Sequence, residues 1–185
     1  MGKLFDLIAD KALAKLDDYY TECHVCDKAG IDLYHYDGKV HNANGETEDV
    51  YAVCAECIKT AALTHTAGFE YLKTIDHYLV NIGESKEQLR NELVQKYQHT
   101  PDIPIFMQYE DRPLCCNAIT EFSGHPHDKE ELYKISDMYI YWEKGIKKTP
   151  AIYNFRQYGE PESYRDIATF NCTTCGSNYF VFQFS

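Results

Sequence analysis

Apolar residues at the start of the chain recur at steps of three and four. Leu4, Phe5, Leu7, Ile8, Ala12, Leu13 and Leu16 would line one face of an amphipathic helix from Lys3 to about Asp18. The pattern then changes. "IDLYHY" and "DVYAV" read as two strands joined by the polar loop "DGKVHNANGETE". "IKTAALTHTAGFEYL" predicts a short helix, and "SKEQLRNELVQKYQHTP" a better one. Ser85 is its N-cap, Gln88 follows three residues on as in a capping box, and the stop falls before Pro101. "IPIFMQYE" predicts a strand, and "DKEELYKISDMYIYWEKG" a last long helix ended by Gly145. "YRDIATFNCTTCGSNYFVFQFS" closes the chain as strand, tight turn and strand. The fold class expected is α+β, with short antiparallel hairpins carrying zinc knuckles packed with three to four helices. At 185 residues a single domain spanning 1–185 is expected, since the length suits one hydrophobic core and not two.

Composition narrows the environment. Aromatic residues make up 14% of the chain, with sixteen tyrosines against one tryptophan, which suits a folded chain with many half-buried positions. The start is charged every few residues, so no signal peptide is expected. Nowhere do eighteen apolar residues follow one another, so no membrane span is expected and a cytoplasmic location is. The net charge of -11 disfavours a phosphate-backbone partner, because the one basic stretch, "EKGIKKTP", is short.

The cysteines carry the chemistry. Six of the eight form C-x2-C pairs, Cys23 with Cys26, Cys54 with Cys57, and Cys172 with Cys175. In a reducing compartment this spacing points to metal rather than disulfides. Each pair bends a tight turn around one side of a tetrahedron. The hairpin between the first two pairs would bring Cys23, Cys26, Cys54 and Cys57 around one structural Zn²⁺. The third pair needs partners from elsewhere, and "DRPLCCNAITEFSGHPHD" offers Cys115 and Cys116. Adjacent side chains in an extended segment point to opposite faces, so both can hold one ion only if the backbone turns sharply between them. The second site is therefore expected to use Cys116, Cys172 and Cys175 with Cys115, in second place the same three with His125 or His127, and in third place to stay empty. Two tetrathiolate zinc sites would take the net charge to roughly -15.

The order of these pieces resembles the CbrC family of bacterial proteins, linked with tolerance to a nuclease colicin. The matching segments are "CHVC", "CAECI", "TPDIPIFMQ", "CCNAITEFSG" and "FNCTTCG", spanning roughly Glu22 to Ser185. The family's opening "YHPDP"-like segment is missing here, and Ala-Glu stands in the second pair where Pro-Trp is expected. The resemblance implies that Cys116 matches the family's single cysteine ahead of "F-x-G" better than Cys115 does.

Enzyme signatures are missing. There is no H-x-E with P-C-x-x-C, no H-E-x-x-H, no G-x-S-x-G and no Gly-rich loop ending in Lys. The function expected is that of a zinc-binding protein acting through protein-protein interaction, its acidic and Tyr-rich surface meeting a basic partner. With the resemblance, that partner becomes a basic nuclease toxin and the protein an immunity or tolerance factor. The alternative is a zinc-dependent hydrolase with an open second site near His125, His127 or Glu121.

Overall fold

A computed structural model describes residues 2–65, 69–81, 86–100, 111–143, 146–148 and 154–183. Its first sheet is built from β1 (Leu33–His41) and β2 (Thr47–Cys54), an antiparallel hairpin that runs from Leu33 opposite Cys54 to His41 opposite Thr47, with the register shifting between His35 and Gly38. The short β3 (Leu63–Thr64) adds on the far side of β1, giving the order β2-β1-β3. The hairpin is the one read from the alternating pattern, but both strands run deeper into the polar stretch, leaving a turn at Asn42–Glu46.

Helix α1 (Ala55–Thr60) follows β2 without a break. The predicted helix over "IKTAALTHTAGFEYL" is instead the end of α1, the strand β3 and the start of α2 (Phe69–Tyr78). Backbone pairing with β1 at Lys39 and Val40 takes precedence there over local helix preference. Helix α3 (Lys86–Gln98) ends before Pro101 as expected. Its predicted cap at Ser85, the strand over "IPIFMQYE" and the stop at Gly145 lie outside the described residues.

The second sheet has the order β6-β9-β10-β7-β8, with β6 (Glu121–Gly124), β7 (Ile140–Glu143), β8 (Ile146–Lys148), β9 (Ile167–Asn171) and β10 (Asn178–Phe182). All pairs are antiparallel except β10 with β7. The predicted long last helix is shorter than its pattern: α4 (Lys129–Met138) stops at Tyr139, and "IYWE" joins the sheet. Tyr, Ile and Trp in that stretch favour a strand, and Tyr141 and Trp142 are buried by it.

Both faces of this sheet are covered. On one, Leu132 and Ile135 of α4 and Phe155 of α5 (Phe155–Tyr158) pack with Tyr141, Ile167 and Phe180. On the other, Ala168, Phe170, Tyr179 and Val181 join the core that includes Val50, Val53, Tyr71, Leu93 and Tyr97. This explains why "YFVF" is continuously apolar rather than alternating.

The amphipathic N-terminal helix does not form. The segment is irregular apart from one 3₁₀ turn at Asp10–Ala12, and it lies along the edge strand β6 and along the start of β1, which β3 does not reach. Ala9 N–H donates to the Phe122 carbonyl and Phe122 N–H to that of Leu7, both at 2.8 Å, while Leu16 N–H bonds Leu33 at 2.8 Å. Phe5, Leu7 and Ile8 are almost fully buried. Edge pairing with two strands satisfies the backbone and buries the same apolar residues without a helix. Five α-helical segments are present among the described residues, and none is long and apolar enough to cross a membrane.

Candidate metal centres

The first centre grows from three local structures. Cys23 to Lys28 forms a tight turn in which Asp27 N–H bonds the Cys23 carbonyl at 2.9 Å and Cys23 N–H bonds Lys28 at 3.0 Å, with Asp27 left-handed at φ 57°. Cys54 ends β2 and caps α1, its sulfur accepting from Cys57 N–H at 3.5 Å. The hairpin folds one pair onto the other. Cys23, Cys26, Cys54 and Cys57 form one group whose sulfurs all lie within 4.8 Å of each other, with Cys26 and Cys54 4.0 Å apart.

The second centre answers the problem set by the adjacent cysteines. β4 (Leu114–Cys115) and β5 (Ala118–Ile119) form a two-residue hairpin whose turn is Cys116 and Asn117, at φ 53° and 59°. Two successive positive φ values give the tight reversal that short hairpins use. The sharp turn required between the thiols is therefore present. Cys115 Sγ lies 3.7 Å from Cys116 Sγ and 3.6 Å from Cys175 Sγ. Cys115, Cys116, Cys172 and Cys175 form the second group. The Cys172 turn repeats the Cys23 turn: Gly176 N–H bonds the Cys172 carbonyl, Cys172 N–H bonds Ser177, and Gly176 holds the left-handed place of Asp27 at φ 74°.

These separations suit a metal ion. A Zn–S bond of about 2.3 Å makes a tetrahedral S···S edge of roughly 3.8 Å, and the separations of 3.6, 3.7 and 4.0 Å bracket it. A disulfide needs about 2.05 Å, and all eight cysteines are free. Each cluster is capable of coordinating a metal ion.

Electrostatics agree. Burial pushes the Cys23 thiol up, but backbone N–H groups of Cys54, Val25 and Cys26 outweigh it and bring it down to about 7. Burial and then the sulfurs of Cys26, Cys54 and Cys23 hold Cys57 well above the ordinary range. In the second cluster the Ser177 hydroxyl and N–H draw Cys175 down to about 6, while burial and the neighbouring sulfurs push Cys115 up to about 12 against the Tyr179 hydroxyl. Each cluster thus ionises one thiol readily and resists the next like charge, a conflict that a divalent cation removes.

The histidines offered as fourth ligands are elsewhere. Neither His125 nor His127 belongs to a cluster. His125 Nδ1 donates to the Ile167 carbonyl at 2.7 Å, and His127 is exposed. The sequence reading missed the outer partners of the sulfurs. Tyr179 donates its hydroxyl to Cys115 Sγ at 3.0 Å, and Ser177 Oγ lies 3.2 Å from Cys175 Sγ. Ser177 was within reach of inspection, because it stands two residues beyond a ligand-type cysteine in "CGS".

A chain of aromatic rings beside the first centre was also missed. Tyr19, Tyr20, His24 and Tyr51 meet edge to face in succession, at centroid distances of 5.0, 5.4 and 6.3 Å. His24 stands inside the C-x2-C turn, and its Nδ1 accepts from Tyr51 N–H at 3.3 Å.

The model of the Uncharacterised protein family (UPF0167) matches residues 10–184, and the chain belongs to that family. This corrects the assignment to the CbrC family, and with it goes the ground for colicin tolerance, immunity or a nuclease toxin as partner. No curated protein and no solved structure matches the chain.

Proposed function

We propose that both clusters hold Zn²⁺ as closed structural sites and that the protein works as an interaction module. The observation that carries this reading is the composition of the clusters: four thiols each, with no histidine or carboxylate joining them among the described residues. Four sulfurs complete a tetrahedral ion, and structural sites take that form. The hydrolase alternative needs an open position, and His125, His127 and Glu121 all stand outside the second cluster.

The contact surface in this reading is the ring chain at the first centre. Tyr19 is 81% exposed and Tyr51 43%. Exposed Asp17, Asp18 and Glu22 flank it in sequence. Rigid tyrosines among carboxylates suit a basic protein partner, because they combine large contact area with attraction for Lys and Arg. The metal turn positions His24, so zinc would fix the shape of the surface it borders.

Elemental analysis of the purified, reduced chain tests the metal. Two zinc ions per chain are expected, and a metal-free chain whose circular dichroism is unchanged by a strong chelator overturns the reading. For the surface, partner capture that falls with salt and is lost in a Tyr19→Ser, Tyr51→Ser double variant is expected. Capture indifferent to both removes the ring chain from the proposal.

A further inference from the structure

An open cavity of about 1000 Å³, with none of the eight cysteines in its lining, is bordered by residues 11–14, the end of β6, α4 and the 3₁₀ turn Tyr164–Asp166 ahead of β9. Three separate segments each bring one cation to it: Lys11, Lys134 and Arg165. All three are exposed, and none forms an ion pair among the described residues. Two carboxylates also line it, Glu131 and Glu162, and an oxygen of Glu131 is occupied by the His127 N–H at 2.9 Å. In a chain of net charge -11, three unpaired cations around one cavity run against the composition.

His125 acts as an internal probe of that field. Its Nδ1 carries the proton donated to the Ile167 carbonyl, which can only accept. Burial holds the imidazole below its ordinary value, and the charges that act on it, Arg165 and His127, hold it down further. Arg165 and His127 thus stand close enough to the imidazole to act on it directly.

We propose that the cavity binds a small phosphate-bearing molecule, with Arg165, Lys11 and Lys134 as its anion contacts. A guanidinium presents paired donors to phosphate oxygens, and the two ammonium groups add point charges from other sides. Three cations against the carboxylates of Glu131 and Glu162 leave the lining at a formal +1, and a phosphate, at about -1.5 to -2, has the oxygens to engage all three cations where a single carboxylate has not. The ligand is small because the three cations are gathered in one place: beyond a Debye length of about 8 Å a polyanion meets the acidic remainder of the chain.

Titration calorimetry of the zinc-loaded full chain tests this, using inorganic phosphate, adenosine monophosphate and a single-stranded RNA oligomer as probes. Saturable one-to-one binding of adenosine monophosphate is expected, with inorganic phosphate competing. Arg165→Ala should weaken it roughly tenfold or more, the loss of a charged hydrogen bond. Lys11→Ala and Lys134→Ala should each weaken it several-fold, and Lys86→Ala, on α3, should leave it unchanged. All four substitutions are at exposed side chains, and unchanged zinc content with unchanged circular dichroism verifies that each variant is folded. The proposal is overturned by no binding of either phosphate probe to the folded chain, by affinity insensitive to the three cavity substitutions, or by preference for the RNA.

Discussion

Cys116 is held in a conformation its side chain resists. A non-glycine residue at φ 53° is disfavoured by roughly 1–2 kcal/mol, and strain of this kind persists where the surroundings demand it. A ligand at that corner is such a demand, since structural zinc supplies about 10–16 kcal/mol in isolated fingers. The balance makes Cys116→Gly change sign with metal. In excess chelator the variant should unfold at a slightly higher urea concentration than the parent, by relief of about 1 kcal/mol. In excess zinc it should unfold much earlier, and a variant more stable in both conditions would mean that Cys116 is no ligand. The two equivalent turns offer a simpler comparison, because Gly176 has open space at its Cβ position and yet needs φ 74°. Gly176→Ala should cost about 1–2 kcal/mol through backbone conformation alone, while Asp27→Gly should be neutral or slightly stabilising. His125 gives a pH dependence. Its folded value lies below the ordinary 6.5, through burial first and then the charges of Arg165 and His127, against the Ile167 hydrogen bond. Between the two values the unfolded chain binds the extra proton, so this stability is complete above about pH 6.5 and is lost as pH falls towards the folded value. His125→Asn should flatten the urea midpoint against pH in that window, and an unchanged slope would show that His125 titrates normally.

Elements whose register is fixed locally were legible in the sequence, and those fixed by distant partners were not. The hairpin β1-β2 follows alternation and turn residues, and the pair β9-β10 two apolar runs around a tight C-x2-C-G turn, each within one continuous stretch. The grouping of Cys23, Cys26, Cys54 and Cys57 came with the first hairpin, because a strand pair delivers its two ends to one place. The second group was legible as a set of residues but not as a geometry, since two positive φ values at Cys116 and Asn117 leave no periodic trace. The N-terminal stripe was misread because Phe5, Leu7 and Ile8 satisfy a helical period and an edge-bound strap equally well. Only pairing with Phe122, more than a hundred positions away, decides between them. That difference has a measurable consequence. A peripheral amphipathic helix would tolerate Leu7→Ala with small loss, whereas Leu7 is 1% exposed between core and sheet edge. Leu7→Ala should therefore cost about 2–5 kcal/mol in chemical denaturation. A conventional helix end gives the contrasting scale: Asp128 caps α4 by accepting from Glu131 N–H at 2.9 Å, and Asp128→Ala should cost about 1 kcal/mol.

At the scale of the whole molecule the two centres differ in what surrounds them. In the first, Cys23, Cys54 and Cys57 are buried and Cys26 is half-buried. In the second, Cys116 and Cys175 are exposed and only Cys172 is buried. The first also ties the base of the β1-β2 hairpin to α1, so that opening it disturbs Val53, Ala52 and the core behind them. The second joins two hairpin turns, β4-β5 and β9-β10, at their tips. A chelator reaches a metal through its exposed ligands, and local openings of lower free energy occur first. Zinc release should accordingly be biphasic, one equivalent leaving quickly with little change in the far-ultraviolet spectrum and the second leaving slowly together with the fold. A colorimetric chelator followed beside circular dichroism separates the phases. Cys116→Ser should abolish the fast phase and keep the slow one, while Cys57→Ser should remove the slow equivalent and leave a chain already destabilised. A single phase in the parent protein would mean that the two centres open as one unit, and a fast phase that survives Cys116→Ser would mean that exposure of the sulfurs does not set the order.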